Sequence, residues 1–257
     1  MSTVNTSKIN QLLLSQPTGA VFTSHWMSRN GYSPELQKRY RLSNWLASIG
    51  NGAMKRTGEE ITMEGALYSL QNQLGLSVHI GATSALALLG RSQYLQLDSN
   101  QTYLFGTREE TLPKWFATYP WRAAINYQTT GFLPARLGMT DYETNNGIMI
   151  SISGQIRAIM ECLYLAPAEI GYTECYELLE SMTSVRPQGV QKLLEACSSV
   201  KVNRMFLFLA EKTGHSWVRH LDQSKIELGS GKRSLAKNGV YIPAYQITVP
   251  KELAKDE

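Results

Sequence analysis

The chain has 257 residues, of which 43% are hydrophobic, so it is long enough for one large hydrophobic core or two ordinary ones. A formal net charge of +4 at pH 7 permits contact with nucleic acid without demanding it. The cysteines, Cys162, Cys175 and Cys197, lack the paired spacing of a metal site or a secreted disulfide framework. We find neither a signal peptide nor an apolar run long enough to cross a bilayer, so we expect a reduced protein of the cytoplasm.

The N-terminal segment predicts two short helices. Apolar residues at helical spacing from Ile9 onward indicate a first amphipathic helix, which ends before Pro17. Ser24 is a suitable N-cap for a second helix. The pair Asn30-Gly31 tolerates the left-handed backbone that terminates helices, so a tight turn follows.

A third, basic helix begins after this turn. Ser33 can cap it, Pro34 fits its first position, and Glu35 complements the positive end of the helix dipole. We expect it to stop at Asn44. Projected onto a helix, the packing side contains Leu36, Tyr40 and Ser43, and the opposite side contains Gln37, Lys38 and Arg41.

The pattern then alternates, which predicts a strand and a hairpin. Trp45, Ala47 and Ile49 fall on one side of the strand, and Leu46 and Ser48 fall on the other. The corner Gly50-Asn51-Gly52 supplies the positive φ values of a hairpin turn, and we place Lys55 and Arg56 near its tip. Three short helices followed by such a wing are the layout of a winged helix-turn-helix.

The basic helix and the wing predict contact with double-stranded DNA, because Gln, Lys and Arg side chains can reach phosphates and base edges. Gln37, Lys38 and Arg41 are candidates for the major groove, Arg39 for a phosphate, Lys55 and Arg56 for the backbone or a minor groove, and His25 and Arg29 for backbone contacts. The alternative is a solvated helix face, or a winged helix that binds a protein.

The remainder of the chain predicts a mixed α+β fold. A capped helix starts at Thr62, and a short strand and a helix follow it. We place a domain border near residue 95, which divides the chain into a DNA-binding domain over 1–95 and a C-terminal domain over 96–257. A hairpin is predicted around Asp98-Ser99-Asn100, then a strand in GIMISIS, a helix over Gln155 to Leu165 and three further helices. The tail returns to strands in KIEL, KRSLAKN and VYIPAYQITV.

Motifs for catalysis, metals or cofactors receive little support. In GSGKRS the first glycine of a phosphate-binding Walker loop would fall on Ile226, and Arg233 stands where that motif needs Ser or Thr. A glycine-rich turn that exposes Lys232 and Arg233 is the simpler interpretation, although a basic turn could meet RNA or a phosphate. His215 and His220 point in different directions on a helix, and the adjacent carboxylates Glu59-Glu60 and Glu109-Glu110 are typical of solvated turns. We therefore expect no catalytic residue, metal or cofactor.

Over nearly its whole length the chain resembles the AbiEi family of bacterial type IV antitoxins. The N-terminal half of the resemblance lies in GYSPELQKRYRLSNWLASIGNGAMKR and TMEGALYSLQNQLGLSVHIGATSALALLGRSQYLQL. The C-terminal half lies in ISISGQIRAIMECLYL, ECYELLESMTSVRPQGVQKLLEACSSVKVNRMFLFLAEKTGH, LDQSKIELGSGKR and YQITVP. One departure is Asn44, which stands where a glycine is common and therefore requires a left-handed asparagine.

The resemblance implies an abortive-infection antitoxin with an N-terminal winged helix-turn-helix and a mixed α/β C-terminal domain. The first domain would bind inverted repeats in the operon promoter through Gln37, Lys38, Arg41, Lys55 and Arg56, and thereby repress the operon. The second would oppose the effect of a nucleotidyltransferase toxin encoded next door, and Lys232 with Arg233 are candidates for that surface. Two alternatives stay open: an enzyme or RNA-acting protein that modifies the toxin or its tRNA target, and an antitoxin that binds its toxin directly.

Overall fold

The computed structural model describes residues 7–90 and 101–254, which form an α+β fold as the sequence predicts. The helices are α1 Lys8–Leu14, α2 Ser24–Arg29, α3 Pro34–Leu42, α4 Met63–Tyr68, α5 Ala82–Leu88, α6 Lys114–Ala117, α7 Gln155–Leu165, α8 Tyr172–Glu180, α9 Pro187–Ala196, α10 Val200–Thr213 and α11 Lys251–Ala254. The strands are β1 Phe22–Thr23, β2 Leu46–Gly50, β3 Ala53–Arg56, β4 His79–Ile80, β5 Gln101–Thr107, β6 Ala124–Thr130, β7 Met139–Glu143, β8 Met149–Ser153, β9 Arg233–Ser234, β10 Val240–Ile242 and β11 Ile247–Val249.

Residues 7–57, which we call the N-terminal module, follow the order α1, β1, α2, α3, β2, β3. The three strands form an antiparallel sheet in the order β1-β3-β2. The module has a small core of its own, formed by Leu12, Phe22, Met27, Tyr32, Tyr40, Leu46 and Met54. This order of three helices followed by the β2-β3 hairpin, which we call the ribbon, agrees with the layout expected from the sequence.

Local chemistry sets the boundaries inside the module. The hydroxyl of Thr23 accepts from the Trp26 amide, so α2 is capped one residue earlier than the predicted Ser24. Ser33 caps α3 as predicted, by accepting from the Leu36 amide. After α3 ends, the chain turns at Asn44, whose φ of 57° is the left-handed value that we expected.

A larger core joins residues from both halves of the chain. Helix α4 continues as one π-helical turn over Ser69–Gln73, and it lies in the same apolar cluster as α5 and α7. Strand β4 pairs antiparallel with β5, which pairs parallel with β6. The expected border near residue 95 and the first strand of the hairpin around 98–100 lie outside the described residues, so the border stays a prediction.

Helix α7 is the centre of the C-terminal half. It follows the β7-β8 hairpin, and all its residues from Ile156 to Leu163 are buried. Strands β9, β10 and β11 form a separate small sheet in the order β10-β11-β9. The strand expected in KIEL is wrong: Lys225 ends a 3-10 turn over Gln223–Lys225 that the Asp222 side chain caps, and residues 226–228 form no strand. No helix in the described ranges is long and apolar enough to span a membrane.

Candidate nucleic-acid interface

The rotation of α3 about its axis decides which side chains can meet a ligand. Tyr40 and Gln37 are 6% and 5% exposed, so they mark the side that packs on the module. At about 100° per residue, the opposite side is centred on Lys38 and Leu42, which lie about 40° apart. Arg39 and Arg41 flank that centre, and all four of these side chains are exposed.

Gln37 belongs to the packed side, which corrects its assignment to the major groove. Its Nε2 donates to the Tyr32 carbonyl at 2.8 Å, to the Ser28 hydroxyl at 3.1 Å and to the Ser24 carbonyl at 3.3 Å. These bonds hold the turn between α2 and α3. The amide cannot reach a base edge without leaving buried carbonyls unpaired, which is unfavourable.

Arg56 is also structural, contrary to its predicted role at the DNA. Its Nη1 donates to the Pro17 carbonyl at 3.0 Å and to the Glu59 carboxylate at 2.9 Å. Its Nη2 donates to the carbonyls of Leu13 and Gln16 at 2.5 and 2.6 Å. The guanidinium therefore satisfies carbonyls at the end of α1, where a helix leaves acceptors without intrahelical partners.

The ribbon differs from the predicted wing in where its cations lie. Lys55 pairs with Ala47 and Arg56 with Leu46, so both residues lie toward the base of the ribbon and not near its tip. Lys55 is partly exposed and can still meet a phosphate beside α3.

The ribbon tip is fixed at two points. The Gly52 carbonyl accepts from the Ser24 amide at 2.8 Å, at the start of α2. On the other side Gly50 lies so close to α6 that a Cβ on it would be 2.9 Å from the Cβ of Trp115. The C-terminal half of the chain thus helps to position the ribbon.

The other predicted backbone contacts are accessible. His25 and Arg29 are exposed on α2. Glu35 is the acidic residue on the outer side of α3, and its own backbone amide and the Ser33 hydroxyl lower the pKa of its carboxyl. It therefore stays ionised and adds one negative charge at the start of the helix.

Two exposed apolar side chains near the end of α3 had no role in the sequence analysis. Leu42 is 78% exposed and Trp45 is 48% exposed. Leu42 directly follows Arg41, and Trp45 comes three residues later, just before β2. An apolar side chain can contact the methyl group of thymine in a major groove, so this surface offers apolar as well as charged contacts.

A buried ionic network links the two halves of the chain. The Glu161 carboxylate is 0% exposed, and it accepts from Arg157 Nε at 2.9 Å and lies 3.2 Å from His79 Nε2. The Ser153 hydroxyl and the Ala82 amide donate to the same carboxylate. Burial by itself raises the pKa of Glu161, but the hydrogen bond and charge of His79 and the charge of Arg157 outweigh it, so the pKa is lowered.

Both ring nitrogens of His79 have an oxygen neighbour. Its Nδ1 lies 2.7 Å from the Ser77 carbonyl and its Nε2 faces the Glu161 carboxylate, so both nitrogens face oxygen acceptors. Because every member is sealed from solvent and paired, this network connects β4, β8 and α7 and is no site for a substrate.

Another buried cation organises the GSGK turn. Arg204 is 2% exposed, and its guanidinium donates to the carbonyls of Leu228, Gly229 and Gly231 at 2.5, 3.1 and 2.7 Å. The turn is therefore held from inside, while Lys232 and Arg233 are exposed as predicted.

The remaining chemical candidates are structural. Within the described ranges no group of His, Cys, Asp and Glu residues has the arrangement to hold a metal ion. The cysteines are free and buried, and burial raises the pKa of Cys162 and Cys175 and that of Cys197 to about 11, so they are protonated thiols at neutral pH. Glu110 is not in a solvated turn as expected, because its carboxylate accepts from the amides of Ser77 and Thr107.

Comparisons with known proteins give family matches over most of the chain. Residues 5–97 match the family model described as "Transcriptional regulator, AbiEi antitoxin N-terminal domain", and residues 99–250 match "Transcriptional regulator, AbiEi antitoxin, Type IV TA system". No curated protein matches the chain. Among solved structures the chain is similar to the "Crystal structure of RV2827C protein from Mycobacterium tuberculosis", with a TM-score of 0.57 and 15% sequence identity over 93% of this chain and 88% of that chain. At that identity the similarity shows the fold alone.

Proposed function

Because the chain belongs to the AbiEi family, whose members are transcriptional regulators and antitoxins of type IV toxin–antitoxin systems, we propose that it represses its own operon. In this proposal the N-terminal module is a winged helix-turn-helix that binds inverted repeats in the promoter. Such a repressor acts in the cytoplasm, where the bacterial chromosome is.

The exposed cations on the outer side of α3 are the observation that supports DNA binding most directly. Lys38, Arg39 and Arg41 are exposed, while Tyr40 and Gln37 fix the helix by packing inward. A short helix held in this way presents donors to phosphates and to base edges without first reorganising.

The proposed DNA contacts differ from the sequence-based set in three residues. Gln37 and Arg56 are removed because their donors are used inside the module. Exposed Leu42 is added, as a candidate contact to a thymine methyl group. The proposed set is His25, Arg29, Lys38, Arg39, Arg41, Leu42 and Lys55.

Gel shifts on the gene's own upstream region test this proposal. We expect tighter binding to that region than to a scrambled duplex at the same salt concentration, because phosphate contacts alone carry no sequence information. Arg41→Ala should cost about 1 to 3 kcal/mol if Arg41 reads a base, and it should relax preference at one position. Lys192→Gln, at an exposed cation on α9, is the matched control. Equal affinity of the wild type for both duplexes would count against the proposal.

We further propose that the C-terminal half counteracts a nucleotidyltransferase toxin encoded in the same operon, without catalysis of its own. Lys232 and Arg233 are exposed on a turn that Arg204 holds rigid, which suits a recognition surface. Growth rescue on co-expression with the toxin tests this role, and Lys232→Gln with Arg233→Gln should weaken the rescue. An altered toxin mass after incubation would instead support the enzyme alternative, and co-purification would support direct binding.

A further inference from the structure

The small C-terminal sheet has an unusual charge. From Leu228 to Pro250 the sequence contains three basic residues, Lys232, Arg233 and Lys237, and no Asp or Glu. The segment therefore carries +3, compared with +4 for the whole chain. All three basic side chains are exposed. A segment with this excess of exposed positive charge attracts polyanions.

The outer side of the sheet combines this charge with an aromatic ring. Register places Thr248 on β11 beside Ser234 on β9 and beside Tyr241 on β10. Their neighbours Ile247 and Val249 are buried, and side chains alternate along a strand, so Ser234, Thr248 and Tyr241 form one row on the solvent side. Tyr241 is 37% exposed.

Charge and ring lie close together in this row. Lys232 places its Nζ 5.0 Å from the centroid of the Tyr241 ring. A phosphate bound by the ammonium would therefore lie next to a ring on which a base can stack. The Thr248 hydroxyl lies beside them, and the Ser234 hydroxyl, which donates to the Ala236 carbonyl at 3.4 Å, can still accept a hydrogen bond.

The turn before this row has its backbone arranged for an anion. Arg204 draws the carbonyls of Gly229 and Gly231 inward. In the part of the chain that the structure describes, the amides of Ser230, Gly231 and Lys232 have no acceptor. Successive free amides in a glycine turn form a concave site for an anion. The Glu227 carboxylate is engaged by the Gly229 amide at the base of the turn.

We propose that this surface, formed by the GSGK turn and the Tyr241 row, binds single-stranded nucleic acid. The amides of the turn and Lys232 would hold phosphates beside the ring, Arg233 on the edge strand β9 would hold a phosphate along the edge of the sheet, and Tyr241 would stack on a base. Stacking rings beside a basic groove are how single strands are recognised, since an unpaired base offers its face. The inference names a ligand class for the proposed antitoxicity surface but does not depend on the N-terminal module binding DNA.

Fluorescence anisotropy with the full chain tests the proposal. The probes are a labelled mixed-sequence RNA strand, a DNA strand of the same sequence, and the duplex of the gene's upstream region. We expect saturable binding to at least one single strand. Tighter binding of RNA would identify the 2′-hydroxyl as a recognised group, and equal binding would identify a general single-strand site; either result supports the proposal.

Variants separate stacking from charge. Tyr241→Ala should weaken single-strand binding about tenfold or more, and Tyr241→Phe, which keeps the ring, should stay within about twofold of wild type. The double variant Lys232→Gln and Arg233→Gln should lower the slope of log K against log salt by about 1.4, from about 0.7 for each lost phosphate contact. Lys192→Gln, a matched exposed cation on α9, should leave single-strand affinity near that of wild type.

Three results would overturn the proposal. They are an absence of saturable binding to either strand, wild-type affinity of Tyr241→Ala, and an equal loss from Lys192→Gln. A loss by Tyr241→Ala on the duplex as large as on the single strand would place this surface in the DNA repressor and would also overturn it. Failure of the upstream duplex to bind, with single-strand binding intact, would instead refute only the proposed repressor function.

Discussion

The sequence and the structure predict different effects of substituting Arg56: the sequence predicts a loss of DNA affinity, and the structure predicts a loss of stability. The sequence favours a DNA contact, whereas in the structure the side chain is 16% exposed and its donors face three backbone carbonyls and the Glu59 carboxylate. Its guanidinium also lies 5.2 Å from the centroid of the Phe22 ring, in the core of the module. We predict that Arg56→Ala destabilises the protein and that Arg41→Ala leaves stability unchanged.

The expected size follows from the number of lost bonds. A hydrogen bond from a charged donor contributes about 1.5 to 3 kcal/mol, and bonds from one group are not additive. Water can reach part of the vacated site, so we expect about 2 to 4 kcal/mol for Arg56→Ala. In a chain of this length that corresponds to a melting temperature lower by about 5 to 15 °C.

The assay is thermal unfolding followed by circular dichroism, together with gel shifts at a temperature where each variant is folded. Arg56→Lys keeps the charge but not the planar fork, so it should recover less than half of the lost stability if the role is structural. Arg29→Ala, at an exposed residue on α2, is the control and should melt near the wild-type temperature. A wild-type melting temperature for Arg56→Ala, with operator affinity lost as in Arg41→Ala, would refute this reasoning.

Three further predictions concern buried groups. Gln37→Ala should cost about 1 to 3 kcal/mol in urea unfolding, since it leaves the Tyr32 carbonyl unpaired; unchanged stability with altered base preference would contradict this. Glu161→Gln should lower the free energy of unfolding by about 3 to 5 kcal/mol at neutral pH. The folded-state pKa of Glu161 lies below the ordinary carboxyl pKa of 4.5, so its contribution is lost on protonation and the stability difference from wild type should narrow as pH falls below 4.5. A difference that does not change with pH would argue against the network. Gly50→Ala should cost about 1 to 3 kcal/mol in thermal unfolding, because the added Cβ would clash with Trp115 of α6. An unchanged melting temperature would contradict the packing of the ribbon tip on α6.

The sequence predicts those features of the module that depend on neighbours in the chain. The cap at Ser33 and the left-handed turn at Asn44 were both predictable, because a side chain or backbone a few residues away decides them. The α+β class and the burial of the three cysteines as free thiols were likewise predictable from pattern and composition.

The predictions from sequence were wrong where a polar side chain donates to backbone carbonyls inside the fold. Gln37 and Arg56 look like surface donors in sequence, and only the folded chain shows the carbonyls that they satisfy. The same applies to Arg157 and Arg204, which interrupt apolar helical stripes and are both buried. A charged residue inside such a stripe is the available signal, but its partners come from distant segments and cannot be read from spacing.

The shared core has a consequence for how the two proposed roles can be studied. Val21 and Ala53 of the N-terminal module lie in the same apolar cluster as Leu163 of α7, and Glu161 is paired with His79 across the junction of the two matched family segments. A cut between those segments would leave the buried Glu161 carboxylate without its His79 partner and would expose apolar core surface on each fragment. The two proposed roles are therefore better separated by point substitutions than by truncation, and a ligand that deforms the C-terminal half should also shift the position of α3.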